Sequence, residues 1–239
     1  MTYYQDISKY YDMLMNAGYY NYEPLAKTVR SVIGQRERVL ELGIGTGQLA
    51  QLLVEAEPTY DFVGIDFSPA MLEIASKRLP KTVSLIECDV ADMKMDRKFD
   101  VAFSSGGTWV IVRSSNGLLL GTHLFDKHKD LRGLQNVSNL LEPGGLLVLS
   151  VHPPHEDRDI TLEDGVVYSQ KISKKSGDSD HFFIDKTYSF LKDGNVLAEE
   201  MITLGFYQES LFQKMLSDVG FKPLGLTETE DFFVFEKVI

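Results

Sequence analysis

The sequence predicts an α/β protein: a mostly parallel β-sheet with helices on both faces, interrupted late in the chain by a β-rich insertion. Three observations predict it. From residue 22 to residue 152, short and nearly continuous apolar runs alternate with segments whose apolar residues recur at helical spacing, as for strands covered on both faces. Residues 158–207 lose that rhythm and show three strand-like runs divided by turn residues. The composition is that of an ordinary globular chain: 239 residues, 44% hydrophobic and 25% charged, enough for one large domain with a real core.

The elements follow in order. Tyr10, Tyr11, Met13, Leu14 and Met15 predict an amphipathic cover helix near the N-terminus, and 22–33 a second helix. RVLELG (38–43) is a short strand ended by glycine, and 46–57 the helix after it. DFVGIDF (61–67) is the second strand. Residues 68–80 form a helix capped by Ser68 with Pro69 at its first position. SLIECD (84–89) and FDVAFSS (99–105) are the third and fourth strands. A helix over 127–141 puts Leu131, Leu134, Val137 and Leu141 on one face. Pro143-Gly144-Gly145 stops it, and 145–152 is the fifth strand. VVYSQKI, HFFIDKTYSFL and VLAEEMITLGFY then read as antiparallel strands, with turns at Lys174-Lys175-Ser176-Gly177 and Asp193-Gly194-Asn195. A helix over 208–219, capped by Gly220, precedes a terminal hairpin. The expected organisation is a core of residues 1–157 and 208–239 with an antiparallel insertion at 158–207.

Charge and cysteine usage exclude several classes. Lys+Arg total 24 and Asp+Glu 35, so the net charge is 24 − 35 = −11. Such a chain repels nucleic acid and anionic membranes. The one cysteine, Cys88, permits neither an intrachain disulfide nor a cysteine-based metal site, and is expected to be a small core residue of the third strand. No signal peptide and no run of eighteen apolar residues is present, so the expected location is cytoplasmic.

The motif with most chemistry is Glu41-Leu42-Gly43-Ile44-Gly45-Thr46-Gly47, at the junction of the first strand and a helix. Glycines there let a ligand approach the backbone. Dinucleotide enzymes use G-x-G-x-x-G at this place, but the spacing here is G-x-G-x-G with a carboxylate two residues before it. A pyrophosphate gains nothing from that carboxylate, whereas an amino group does. Asp66 ends the second strand, where a carboxylate can accept both hydroxyls of a ribose. Asp89 ends the third, where it could receive an adenine amine. Together they describe an adenosine ligand with an ammonium group and no phosphate.

ELGIGTG, GIDFSPAMLEIA, ECDVADM and LEPGGLLVLSV together resemble the class I S-adenosylmethionine-dependent methyltransferases. The resemblance is close over 38–153 and looser over the terminal hairpin. It implies a Rossmann-like seven-stranded sheet of order 3-2-1-4-5-7-6 with one antiparallel strand. It also implies S-adenosyl-L-methionine as cofactor and S-adenosyl-L-homocysteine as product. Carried onto this sequence, it implies that Glu41, Gly43, Gly45, Gly47, Asp66, Phe67, Met71, Asp89, Val90 and Ser104 bind the donor. YYDMLM…YYNYEPLA resembles the N-terminal cover of small-molecule N-methyltransferases, those acting on glycine and on nucleotide-linked amino sugars among them. It matches Tyr11 and Tyr22 to tyrosines near the donor.

On the acceptor side, seven of the eleven tyrosines fall within the first 22 residues. Most are expected to be packing residues with wet tips; Tyr11 is the catalytic candidate among them. In the same relatives a Ser-Ser-x-x-His-Leu run follows the fourth strand directly. Here about fifteen extra residues separate Ser105 from Thr122-His123-Leu124, and they supply Trp109 and Arg113 as candidate pocket residues. His123 is the candidate base, on the expectation of a pKa near working pH. His152 ends the fifth strand and is expected to point into the substrate crevice. One short His/carboxylate cluster at 152–157 does not complete a coordination sphere, so no metal is expected. The insertion is expected to roof the acceptor, to make a dimer contact, or both. The reading is methyl transfer to a small molecule, at an amine nitrogen. O-methylation of a hydroxyl or carboxylate is the alternative, and a non-catalytic S-adenosylmethionine-binding module or a nicotinamide oxidoreductase are the remote ones.

Overall fold

The computed structural model describes residues 4, 6–124, 126–174 and 177–238. Helix α1 (Ser8–Leu14) runs into a π-helical turn (Met15–Tyr19) that ends through Gly18 in the left-handed region. Then come α2 (Tyr22–Ile33), β1 (Arg38–Leu42), α3 (Gln48–Ala56), β2 (Asp61–Asp66), α4 (Pro69–Arg78), β3 (Ser84–Glu87) and β4 (Phe99–Ser104). The Ser68 hydroxyl accepts the Met71 amide at the start of α4, and Pro69 occupies its first position, as the sequence predicts. β1 lies between β2 and β4, parallel to both, and four of its five residues are buried. Its side chains alternate between two core layers. Leu40 and Leu42 join Val63, Ile65 and Leu134 on one face, while Val39 joins Phe62, Phe103 and Leu53 on the other.

β3 is the sheet edge rather than a buried strand. Ser84, Ile86 and Glu87 are exposed, and Cys88 lies past its end, half-buried. The segment after β4 also departs from expectation. The extra residues form a hairpin, β5 (Trp109–Ser114) and β6 (Gly117–Thr122). WVIVRS and GLLLGT each bring enough β-branched or apolar residues to be strands, and Asn116-Gly117 supplies the turn, with Gly117 at φ +118°.

Next come α5 (Lys127–Leu140), β7 (Leu141–His152), β8 (Arg158–Thr161), β9 (Val167–Lys174), β10 (His181–Lys192), β11 (Asn195–Gln208), α6 (Glu209–Asp218), β12 (Phe221–Leu226) and β13 (Phe232–Lys237). The sheet runs β3-β2-β1-β4-β7 and there divides. Along Leu146–Ser150, β7 pairs antiparallel with β13, which pairs with β12; with β7 as the fifth strand this is the order 3-2-1-4-5-7-6. At Val151 and His152, β7 instead pairs with β5, and the sheet continues antiparallel through β6, β11, β10, β9 and β8. A third core layer, including Leu14, Met15, Val110, Tyr168 and Phe206, fills the space between the N-terminal helix and these added strands. Among the described residues no helix is long and apolar enough to cross a membrane.

Candidate active site

The glycine loop sits where β1 ends against the segment after β4. Gly43, Gly45 and Gly47 all have positive φ. The amides of Gly43 and Ile44 both donate to the Ile65 carbonyl at 2.9 Å, which turns the chain sharply off β1. A Cβ on Gly107 would lie 2.4 Å from the Leu42 carbonyl oxygen, so the two backbones touch with no room for a side chain. Asp66 ties this loop to the next element. Its Oδ2 accepts the Gly45 amide and its Oδ1 the Ser68 amide, both at 2.8 Å.

These contacts open a crevice at the carboxyl ends of the strands, where open α/β sheets bind ligands. Gly43, Gly45, Asp66, Phe67, Met71, Asp89 and Val90 line one part of it, together with half-buried Cys88. Tyr22, Glu41 and Thr46 line the continuing part, and Tyr11 borders both. Two residues expected here lie outside these walls. Gly47 packs against Leu79 and Ala75. Ser104 is fully buried, with its hydroxyl accepting the Trp109 amide at 3.3 Å. Asp89 accepts the Ala91 amide through Oδ1 and keeps Oδ2 3.5 Å from Lys129 Nζ.

Glu41 decides whether the crevice fits an adenosyl amino acid. It is 3% exposed, and its Oε2 has no hydrogen-bond partner among the described residues. Burial, and then the nearby Asp66, hold its pKa well above the usual carboxylate range. A buried carboxylate oxygen without a donor is destabilising until a cation arrives. The ammonium of S-adenosylmethionine has the matching charge, and Asp66, with lone pairs to spare, matches the ribose hydroxyls. The donor set therefore fits the cofactor. The N-terminal helix closes over it: Asp12 accepts the Thr46 hydroxyl at 2.7 Å and pairs with Arg78, which also donates to the Thr46 carbonyl at 2.5 Å.

A second chamber adjoins the crevice, and Tyr4, Tyr11, Gly106 and His123 line both. His123 Nε2 lies 3.1 Å from the Tyr4 hydroxyl. Desolvation, then the nearby Lys186 charge, draw its pKa from 6.5 to about 4. The imidazole is thus neutral well below physiological pH, rather than titrating near it as the sequence suggested. His152 faces the chamber, but hydroxyls hold both its nitrogens: Ser150 at Nε2 (2.7 Å) and Tyr20 at Nδ1 (3.0 Å). Desolvation pulls its pKa also to about 4.

Trp109 and Arg113 do not line the chamber. Trp109 faces the opposite side of β5, is fully buried, and donates Nε1 to Asp130 at 2.6 Å. Arg113 is at the surface, paired with Glu230 at 2.7 Å. Alternation along β5 explains both: Val110 and Val112 occupy the face toward the added strands. The remaining chamber walls include residues that the sequence did not single out: Tyr4, Tyr19, Tyr20, His155, Lys186 and Tyr188. Lys186 had a legible signal. It sits in phase with Ile184, Tyr188 and Phe190 on an alternating strand, which places a lysine on the buried face.

A glycine loop pressed against the strand-4 segment, a ribose-type carboxylate and an orphaned buried glutamate define an S-adenosylmethionine-dependent methyltransferase, whose cofactor is S-adenosyl-L-methionine. A family model described as a methyltransferase domain matches residues 39–145. The demethylmenaquinone methyltransferase of Chlamydia pneumoniae is 25% identical over 189 residues, covering 76% of this chain and 75% of its own. Three further relatives, all named methyltransferases, are matched over 26%, 55% and 47% of their length. Among solved structures, DesVI of Streptomyces venezuelae superposes with TM-score 0.71 at 18% identity, covering 99% of this chain and 100% of its own. The sugar N-methyltransferase KedS8 from Streptoalloteichus sp ATCC 53650 superposes with TM-score 0.68 at 19% identity, covering 96% and 93%. At these identities the structural likeness establishes the fold.

Proposed function

We propose that the chain methylates an amine nitrogen of a small molecule held in the chamber lined by His123, Tyr20 and Lys186. The observation that carries this is the neutral imidazole of His123 at the opening between crevice and chamber. S-adenosylmethionine supplies an electrophilic methyl when bound. A hydroxyl acceptor would need a base strong enough to take its proton during attack, and an imidazole with a pKa of about 4 is a poor one. An amine needs less. It sheds its extra proton to water, and an N–H of the neutral amine then takes the place of the Tyr4 hydroxyl at Nε2 of the imidazole, which aims the lone pair at the donor crevice. Tyr4 and Tyr11 flank that opening and exclude water from it. The neighbouring sugar N-methyltransferase fold agrees with this reading.

Residues 158–207, with the β5–β6 hairpin, serve in this proposal as the roof of the acceptor chamber. His155, Lys186, Tyr188, Leu204 and Phe206 contribute its walls from that sheet and the loop before it. The donor residues at 41–90 precede the roof in sequence and form the core. The test is a methylation assay with matched amine, alcohol and carboxylate acceptors, with products identified by mass spectrometry. Amine turnover at least a hundredfold above the others supports the reading. Turnover of the alcohol or carboxylate alone overturns it in favour of O-methylation.

A further inference from the structure

Lys186 is a charged side chain almost wholly buried in the chamber wall. It is 3% exposed, on the face of β10 that looks into the chamber. An ammonium there is destabilising unless it finds compensation. The described residues give it part of what it needs. Nζ donates to the Tyr19 hydroxyl at 2.9 Å and lies 4.7 Å from the Tyr188 ring centroid and 5.6 Å from that of Tyr19. The direction of that hydrogen bond is fixed by the next links. Tyr19 gives its own proton to Gln170 Oε1 at 2.9 Å, which also accepts from Tyr168, while Gln170 Nε2 donates to the Glu156 carbonyl at 2.5 Å. Tyr19 can therefore only accept from Lys186. An ammonium has three donors, and this network engages one.

No carboxylate among the described residues pairs with Lys186. Asp185, its neighbour in sequence, accepts from Thr203 and lies on the opposite face of the strand by alternation. Nor does any Asp or Glu among the described residues line the chamber, although the chain as a whole carries a net charge of −11. The carboxylates nearest in function, Glu41 and Asp66, line the donor crevice instead. The chamber's other polar side chains are imidazoles, phenols and Thr122, which add hydrogen bonds and no negative charge at neutral pH. Lys186 lines the chamber but not the donor crevice, whereas His123 lines both.

We propose that Lys186 receives an anionic oxygen group of the acceptor, a carboxylate or a phosphate, at a point of the chamber wall distinct from His123. This rests on the chamber being the acceptor site. The two free N–H donors and the phenols beside them then complete the shell around the anion, and the acceptor's arrival neutralises a buried cation. The acceptor is fixed at two points, an amine at His123 and an anion at Lys186.

The test uses equilibrium binding of benzoate, phenyl phosphate and neutral benzamide to the chain loaded with S-adenosylhomocysteine. Wild type is expected to bind at least one anionic probe tenfold or more tighter than benzamide, and the better anion identifies the group. Lys186→Met should bring the anions to within about twofold of benzamide, and Lys186→Arg should keep most of the preference. Equal binding of benzoate, phenyl phosphate and benzamide by wild type, or an anion preference that survives Lys186→Met, overturns the proposal. If Lys186→Met does not fold, the ¹³Cε resonance of Lys186 in wild type decides instead. A shift with an anionic probe and none with benzamide supports the proposal; no shift, or the same shift with benzamide, overturns it. Failure to bind S-adenosylhomocysteine would count against the donor reading alone, because the three probes can be compared on the unloaded chain.

Discussion

Asp130 offers a sharp test of how the acceptor side is held. It is fully buried on α5, and three donors from three elements converge on it. Trp109 Nε1 of β5 and Thr122 Oγ1 of β6 both reach Oδ1 at 2.6 Å, and the Tyr207 hydroxyl of β11 reaches Oδ2 at 2.8 Å. Replacing Asp130 by Ala leaves three buried donors without an acceptor. At roughly 1–3 kcal/mol for each, the expected loss is about 3–9 kcal/mol. In a chain of this size that lowers Tm by roughly 6–36 °C. Asn keeps the shape and an acceptor for the two donors at Oδ1, and the tyrosine hydroxyl can turn to accept from the new amide, so Asp130→Asn should cost about 1–2 kcal/mol. Burial raises the Asp130 pKa from 3.8 to about 6, a gap that corresponds to about 3 kcal/mol. A raised folded-state pKa means that this contribution is complete below 3.8 and is lost as pH rises through 6. The stability of wild type relative to Asp130→Asn should therefore be greater at pH 5 than at pH 7.5. Trp109 is the chain's single tryptophan, so its fluorescence reports both the melt and the titration. An Asp130→Ala melt within 2 °C of wild type, or a tryptophan signal flat from pH 5 to 7.5, would refute the reasoning.

Three more outcomes are expected. Asp66→Ala should weaken S-adenosylhomocysteine binding by about 2–3 kcal/mol, because the ribose hydroxyls lose a charged acceptor and Gly45 loses its anchor; equal affinity by calorimetry would remove Asp66 from the site. Gly107→Ala would drive a methyl against the Leu42 and Gly43 carbonyls, at 2.4 and 2.7 Å, and should cost about 1–3 kcal/mol of stability with reduced donor affinity; a variant that melts and binds like wild type would show that the loop has slack. His123→Ala should lower kcat about 10–100-fold at saturating acceptor. Since the folded-state pKa of His123 is about 4, the residue stays neutral down to pH 5, and the wild-type kcat should show no inflection near 6.5 that the variant lacks; such an inflection would displace His123 from the opening.

The donor side was the more legible part of the sequence because its determinants are local. Strand, glycine turn and helix lie within a dozen residues, and each carboxylate sits at the end of its own strand. The acceptor side depends on which face of a strand a residue takes and on pairings across long separations. Trp109 and Arg113 are expected at the pocket when the segment holding them is read as a loop. As strand β5 it sends Trp109 inward to Asp130 and ends with Arg113 at the surface. In sequence Tyr4 looks like one more packing tyrosine, although its hydroxyl meets His123, from which it is 119 positions distant. Nothing in a single chain marks that pairing. The alternation that exposes Lys186 is visible in HFFIDKTYSF, and only the general rarity of buried lysine argues against reading it.

The division of the sheet at β7 also sets an order of assembly. The donor residues at 41–90 ride on β1, β2 and β3, joined by short βα units, so that cluster can form from contacts close in sequence. The chamber cannot. β6 waits for β11, which puts Leu119 beside Gln208, and the first branch of β7 waits for β13, which puts Ser150 beside Phe232. Closing loops of that length is slow relative to the local steps. A chain emerging from the ribosome therefore presents the donor residues at 41–90 before the strands that wall the chamber. Cofactor present at that stage would act as a scaffold on which the second half of the molecule folds.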